Sequence, residues 1–407
     1  MTERSRIDLP DNLISGERIE AARRAKKLSR RALADLIGCS EEWLRLIEKG
    51  NRKLDRLSTL FKIAEVLEVE ELSEFLNVPV NIPLPRAEAG YSGVVNALLH
   101  LRRPPGEKAP GVPRLCGYLS VAWDLWQRSP RRYTETRRNL PGLLLMAEAS
   151  ADHAAPQDVA ASADSLTQIY RLFSAFLRKC GQYDLALVAS DRALIHARHS
   201  ADPLTTAAAY GGLAEVLIRL GRPTLARELC LETIERVDAL AGQETRTVSV
   251  TGACYLTAAL ACAAAGDRPL TERMLEHARE RGERLGTDRN DLRSAFGPTD
   301  VDLHAVRIHA YLGQYGQAVK LGESLEVEHL FARERQARHF IALAIAHASS
   351  HNATAAVFAL QKAARICPEE LRYDLMARQA ISLLHMQSNA LIRREVRDIA
   401  RLARPDS

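Results

Sequence analysis

Apolar residues in the first part of the chain recur every three or four positions, which is the spacing of one buried helix face. Ser15, Ser29 and Ser40 stand where a serine caps the start of a helix, and Gly38 and Gly50 stand where glycine ends one. The pattern predicts three short helices and a fourth around one small core. The predicted inward positions are Ile19, Leu28, Leu33, Leu36, Ile37, Leu44, Ile47, Leu57, Leu60, Ile63, Ala64 and Leu67.

Proline-rich segments predict the domain boundaries. Three prolines within seven residues follow Phe75. Because proline lacks a backbone donor and disfavours helical geometry in its predecessor, this segment is predicted to be a linker. A second proline-rich stretch, 102–114, is predicted to be an exposed loop. The predicted organisation is an N-terminal arm at 1–14, a helical domain at 15–76, a linker at 77–90 and a larger helical domain at 91–407.

An aromatic residue, a glycine eleven positions on and a small residue five further on recur in the second domain. The triplets are Tyr170/Gly181/Ala186, Tyr210/Gly221/Ala226 and, more weakly, Tyr255/Gly266/Thr271, with partial matches at Gly313/Ala318 and Phe340/His351/Ala356. This spacing resembles the tetratricopeptide repeat, in which a small residue lets the second helix approach the first. We therefore expect an all-α protein whose second domain is an α-solenoid of tetratricopeptide-like hairpins. An irregular helical bundle is the alternative.

The composition agrees with a helical globular protein. Of the 407 residues, 46% are hydrophobic, 26% are charged and 5% are aromatic, which excludes a globally disordered chain. The length requires more than one small core. No apolar run approaches the roughly 18 residues of a membrane span, so we expect a cytoplasmic protein.

Candidate catalytic and metal chemistry is missing from the sequence. The seven cysteines are odd in number and never spaced C-x-x-C, which argues against a disulfide framework and a zinc knuckle. The chain carries no dinucleotide, P-loop, zinc-protease or serine-hydrolase motif. His304 and His309 are unaccompanied by cysteines or clustered acids. We expect no enzyme activity, no cofactor and no metal.

Basic residues are concentrated near the N-terminus. The whole chain has a formal charge of only +5, but residues 16–56 hold twelve basic side chains against seven acidic ones. From Leu57 to Leu76 five glutamates oppose one lysine, so the basic segment ends abruptly. A basic surface on a small helical domain favours nucleic acid as a partner.

The segment from Leu28 to Leu67 resembles the Cro and phage-repressor (xenobiotic response element) helix-turn-helix family. The matching positions are Ala34, Gly38, Ser40, Ile47, Glu48 and Gly50. The resemblance implies a helix-turn-helix domain that binds a double-stranded DNA operator. Leu46 departs from it because members usually carry a basic residue there, and Glu41 and Glu42 direct negative charge towards the duplex.

Exposed residues of the third helix would meet base edges, with Arg45 suited to guanine. Basic residues at the helix ends would contact phosphate. Trp43 is either a core residue or a contact to a thymine methyl group. The predicted DNA-binding residues are Ser29, Arg30, Arg31, Ser40, Glu41, Glu42, Arg45, Lys49, Asn51, Arg52 and Lys53. The alternative is a helix-turn-helix scaffold that mediates dimerisation and no longer binds DNA.

In tetratricopeptide arrays the first helices of the hairpins line a concave groove. Counting from the repeat aromatics gives the groove candidates Gln168, Arg171, Arg178, Glu215, Asp300, Arg307 and Arg338, with Ala175 beside them. Arginines outnumber acids, so the groove would suit a carboxylate or an acidic peptide. For any single residue, an ordinary solvated charge is the alternative.

The order of the two domains resembles the peptide-sensing regulators of Gram-positive bacteria. The segment FGPTDVDLH at 296–304 is similar to a motif of actinobacterial regulators of this architecture. The resemblance implies a homodimeric transcriptional regulator in which a signalling peptide or small molecule changes DNA affinity. Capping of the following helix by Thr299 or Asp300 explains the motif equally well. The alternative function is a protein-interaction adaptor that does not read DNA.

Overall fold

The computed structural model describes residues 16–52, 59, 63–64, 66–67, 69, 92–99, 110–240, 245–387 and 392–403. The chain divides into two compact units, Met1–Pro83 and Leu84–Ser407. Within the described residues every regular element is a helix. The predicted all-α fold, a helix-turn-helix domain followed by helical repeats, is confirmed.

The first unit contains helices α1 (Gly16–Ala25), α2 (Arg30–Ile37) and α3 (Glu41–Glu48). The Ser29 hydroxyl accepts a hydrogen bond from the Ala32 amide, and the Ser40 hydroxyl accepts one from the Trp43 amide, each at 3.1 Å. Gly38 adopts a left-handed φ of 76° at the turn between α2 and α3. These caps fall where the sequence places them, while Ser15 lies outside the described residues.

The core of the first unit contains most of the predicted positions. Ile19, Leu33 and Leu44 are fully buried, and Trp43 is partly buried against them. Leu36 is 62% exposed, so its prediction as a core residue is wrong. The inward face of α2 is formed instead by Leu33, Ala34 and Ile37.

The second unit is an array of helices. They are α4 (Ser92–Leu98), α5 (Val112–Arg128), α6 (Arg132–Asp152), α7 (Val159–Lys179), α8 (Tyr183–Ala197), α9 (Pro203–Arg219), α10 (Pro223–Leu240), α11 (Thr245–Ala264), α12 (Arg268–Leu285), α13 (Pro298–Tyr311), α14 (Tyr315–Gly322), α15 (Arg333–Ser349), α16 (Ala353–Ile366), α17 (Glu370–Tyr373), α18 (Leu375–Gln387) and α19 (Arg393–Leu402).

The hairpin turns have the same geometry at each repeat. Left-handed residues stand at Gly181, Gly221, Gly266 and Gly313, and His351 takes the same conformation with φ 59°. The residue after each turn position donates its amide to a carbonyl five residues earlier, which is the Schellman closure of a helix end. The small residues Ala186, Ala226, Thr271, Ala318 and Ala356 are buried at 0–1% exposure. The predicted hairpin spacing is therefore confirmed.

Contacts between α6 and the later helices α15 and α17 join distant parts of the array. Arg132, at the start of α6, pairs with Glu334 of α15 and Glu370 of α17. The Tyr133 amide donates to Glu369, and the Tyr133 ring stacks on Tyr373 with centroids 4.0 Å apart. These contacts lie beside a partly enclosed cavity, which Arg132 and Glu334 help to line.

Helix α11 corrects the expectation that the chain lacks any long apolar segment. By length and composition alone this 20-residue helix could cross a membrane, since its most apolar stretch has a mean hydropathy of 1.5. However, 72% of that stretch is buried inside the second unit. Ala, Val, Thr and Cys fill it because neighbouring helices surround it.

Candidate nucleic-acid interface and ligand pocket

The first turn of α3 is presented outward. Ser40, Glu41 and Glu42 are exposed, as predicted for residues that would meet a duplex. Arg45 forms a bidentate pair with Glu42, with both N–O distances at 2.7 Å. The hydrogen bond from Arg45 lowers the pKa of Glu42. The pair engages the Nε and Nη2 atoms of Arg45, so these two donors must leave Glu42 before they can contact a base.

Most of the other predicted DNA-binding residues lie on the surface. The exposed ones are Ser29, Arg31, Lys49, Asn51 and Arg52. Lys53 lies outside the described residues. These placements leave the exposed residues available to a phosphate backbone.

Arg30 differs from that group because its guanidinium is held within the protein. It donates to Glu48 at 2.6 Å and to Glu20 at 3.0 Å. These pairs join α2 to α1 and α3, while contact of Arg30 with phosphate stays a prediction.

A buried ion cluster stabilises the first unit. Arg23, 6% exposed, donates to both oxygens of Glu48, at 2.6 and 3.1 Å, and to the Leu28 carbonyl at 2.7 Å. Burial would raise the pKa of Glu48, but hydrogen bonds from Arg23 and Arg30 outweigh burial and lower it. The structural role of Arg23 was not predicted, although Glu48 at a helical core position indicates that a cation must face it.

A cavity of about 170 Å³ lies inside the second unit, between the first helices of successive hairpins. Five of the seven predicted groove residues line it: Arg171, Arg178, Glu215, Asp300 and Arg338. Ala175 also lines it. Gln168 and Arg307 are half-buried and do not line it. Most of the residues predicted by counting from the repeat aromatics therefore lie together around one cavity.

The cavity lining is strongly cationic. Among the described residues, seven lysines and arginines line it against three carboxylates; the cations are Arg132, Arg171, Arg178, Lys179, Arg293, Arg335 and Arg338, and the acids are Glu215, Asp300 and Glu334. Two carboxylates outside the lining, Glu370 and Asp124, neutralise part of this charge. An excess of two cations remains after every such partner is counted.

Two carboxylates of the lining, Glu215 and Glu334, are held in their charged forms. Burial would raise the pKa of Glu215, but Arg178, Arg338 and Arg335 lower it. The pKa of Glu334 is lowered in the same way by Arg132 and Arg335 against the effect of burial. The cavity is thus a charged site, where an anion is stabilised and a cation is not.

Arg171 is the cation with the least compensation. Its Nη2 donates to the Leu292 carbonyl at 3.0 Å, and its guanidinium lies 5.7 Å from the centre of the Trp123 ring. Its buried Nη1 has no hydrogen-bond partner among the described residues, and it has no ion pair with any described carboxylate. Burial lowers its pKa to about 10. A buried cation without a counter-ion is costly, so this position favours an added anion.

The segment 296–304 is explained by packing and by the cavity. Asp288, rather than Thr299 or Asp300, caps α13, because its Oδ1 accepts from the Thr299 amide at 3.0 Å. Asp300 is 3% exposed and pairs with Arg335 at 2.8 Å. The Phe296 ring occupies the space above Gly252, where a Cβ would lie 2.1 Å from the ring. The predicted capping role is therefore wrong.

Several lining residues were missed by counting within the repeats. They come from helices or turns outside the matched triplets: Trp123, Trp126, Gln127, Arg132, Arg293 and Arg335. Arg132 lies 3.6 Å from the centre of the Trp126 ring. No cluster of metal ligands occurs in the ranges that the structure describes.

Comparisons with known proteins identify the first unit. Residues 16–74 match the family model described as a helix-turn-helix domain. No curated protein matches the chain. Among solved structures, Bacillus thuringiensis PlcR in complex with the peptide PapR7 and DNA is similar, at 15% identity and a TM-score of 0.35, over 81% of this chain and 95% of that chain. The N-terminal unit is therefore a helix-turn-helix domain.

Proposed function

We propose that the protein is a cytoplasmic, sequence-specific DNA-binding transcriptional regulator. The observation that carries this proposal is the outward first turn of α3 on a helix-turn-helix domain, flanked by the exposed cations Arg31, Lys49 and Arg52. A helix presented in this way fits the major groove, and flanking cations fit the phosphates. Base contacts come from Glu41, Glu42 and Arg45.

The second unit acts as a ligand sensor in this proposal. Its cationic cavity supports an anionic peptide or small molecule as the ligand. Because two-fold operators need two reading heads, the active form is a homodimer. Light scattering at micromolar concentration should give twice the mass of one 45.1 kDa chain. A monomer at that concentration would remove the two-fold operator from the proposal.

The DNA-binding proposal is tested by selecting duplexes from a random pool with the full chain. Binding of the selected duplex is then measured by fluorescence anisotropy across a salt series. The association constant should fall linearly on a log–log plot, with a slope of about −0.9 per phosphate contact. Arg52→Gln should reduce the slope by about one, while Arg222→Gln, an exposed arginine in the second unit, should leave it unchanged. Retention of no duplex at low salt would favour the adaptor function instead.

A further inference from the structure

We propose that the cavity binds a compact organic dianion, with two anionic groups at its ends and a neutral middle, in preference to an extended peptide. This inference rests on the proposed sensor function of the second unit and names its ligand class. The cavity size, the excess of cations over carboxylates at the lining, and the neutral part of that lining support it.

The cavity size indicates how much of a ligand the protein can surround. The cavity measures about 170 Å³ and is partly open to solvent. An engineered cavity of ~150 Å³ holds one benzene, and pockets for drug-sized molecules enclose ~300–1,000 Å³. The space therefore suits a molecule of roughly ten non-hydrogen atoms. A peptide of five or more residues would extend beyond it.

Two cationic centres lie at opposite ends of the site along α7. One is Arg171 with the Trp123 Nε1, a buried donor that has no partner within the described part of the chain. The other is Arg178 with Arg338, which pair with Glu215 and Glu334 respectively. The buried Nε of Arg338 has no hydrogen-bond partner among the described residues. Arg171 and Arg178 are seven residues apart, which is about 10 Å along a helix axis. Each centre offers donors to one anionic group.

Part of the lining is neutral and lacks large side chains. Gly211, Gly212, Ala208 and Ala175, which lies between Arg171 and Arg178 on α7, form it. A Cβ built on Gly212 meets no atom within 4 Å, so this part of the lining leaves open space beside the backbone. The middle of the ligand is therefore expected to be uncharged.

The loop after α12 connects the first centre to the rest of the domain. Leu292, Arg293 and Ala295 have left-handed φ values of 47°, 67° and 54°. Such conformations are strained for residues with a Cβ and persist only when contacts hold them. The Leu292 carbonyl accepts a hydrogen bond from Arg171, and the Ser294 carbonyl accepts one from Arg335. An anion that binds both amino groups of Arg171 competes with the Leu292 carbonyl for Nη2 and loosens this loop.

The ligand class is tested by calorimetry on the full chain without DNA. The probes are α,ω-dicarboxylates from succinate to azelate, hexanoate as the monoanion, and the peptide Ala-Glu-Ala-Glu-Ala. Affinity should peak at one intermediate chain length and exceed that of hexanoate by about ten- to a hundredfold, because a second carboxylate gains charge-assisted hydrogen bonds. Equal affinity for mono- and dicarboxylates, tighter binding of the peptide, or no binding of any dicarboxylate would overturn the proposal.

Variants separate the site from the fold. Arg171→Met should reduce dicarboxylate affinity at least tenfold, because it removes the cation of the first centre; its melting temperature shows whether it folds. Gly212→Leu should block binding by filling the cavity, while Arg222→Met, an exposed residue outside the lining, should bind as the unmodified chain does. If Arg171→Met and Gly212→Leu fold and still bind, the ligand lies elsewhere.

The same protein distinguishes this inference from the proposed function. Selection of duplex DNA in the absence of any dicarboxylate reports on the helix-turn-helix domain alone. If DNA is selected and no dicarboxylate binds, the ligand class is wrong and the regulator stands. If a dicarboxylate binds and no duplex is selected, the DNA-binding function is wrong and the ligand class stands. Hydrogen exchange of residues 287–297 should rise on binding, and an unchanged rate would remove the competition at Leu292.

Discussion

Glu48→Gln is expected to destabilise the helix-turn-helix domain without altering any residue of its outward surface. The Glu48 side chain is fully buried and accepts hydrogen bonds from Arg23 and Arg30. Glutamine preserves the shape but removes the negative charge. Two cations are then left facing each other, one of them, Arg23, with only 7% of its side chain exposed.

The magnitude follows from which cation loses its partner. Removal of one member of a buried pair costs about 3–5 kcal/mol. The Arg30 side chain is 27% exposed and keeps its pair with Glu20, so solvent screens the effect of losing Glu48 there. We therefore expect the loss of unfolding free energy to lie at the lower end of this range, at about 3 kcal/mol. This corresponds to a roughly 150-fold change in the unfolding equilibrium. Because the domain is small, such a loss is a large part of its stability.

Native-state hydrogen exchange measures this change within the first unit alone. Amides of α1 to α3 should lose about two orders of magnitude of protection in Glu48→Gln. Glu42→Gln is the matched control on the same helix, since its partner Arg45 is solvent-exposed, and protection should be unchanged. Equal loss of protection in both variants would show that the buried cluster contributes no more than the surface pair, and would refute the reasoning.

Glu48 also gives a pH dependence with a defined sign. Its pKa in the folded state lies below the value of an unfolded glutamate, about 4.3. The stabilisation is therefore complete above that pH and is lost as pH falls through the lower folded value. Acid unfolding of α1 to α3 should be less steep in Glu48→Gln than in the unmodified chain.

Three further variants test other parts of the structure. Glu42→Gln should tighten DNA binding severalfold in anisotropy, because it removes a negative charge facing the duplex and releases Arg45; unchanged affinity would place α3 away from the DNA. Burial lowers the pKa of His339 to about 4, so stability should be full above about pH 6.5 and fall by up to roughly 3 kcal/mol as pH drops towards 4, as the unfolded chain takes up the proton first. Urea unfolding at pH 7.5 and 5 should show this loss in the unmodified chain and not in His339→Gln. Gly181→Ala should lower the melting temperature, because its φ of 76° is strained for any residue with a Cβ, and no loss would show that the turn rearranges.

The hairpin array was predictable from sequence because its determinants are local. A left-handed turn residue and a small residue five positions later fix where one helix ends and how closely the next approaches. His351 has the left-handed conformation at the position where the repeat lacks its glycine. The spacing of the repeat therefore predicts this turn even where the residue type does not. The contact between α6 and α17 was not predictable, because Arg132 and Glu370 are 238 residues apart in the sequence.

The candidate residues show the same limit. Arg30, Arg45 and Arg171 are all basic residues at predicted contact positions, and nothing local distinguishes them. Their surroundings do: Arg30 is neutralised by two buried or half-buried acids, Arg45 by one exposed acid that it can leave, and Arg171 by no described carboxylate. An arginine that has no carboxylate partner in the folded protein is therefore the better candidate for binding an anionic ligand. By that criterion Arg171 favours an added anion more strongly than Arg45 does, because the Nε and Nη2 atoms of Arg45 already donate to Glu42.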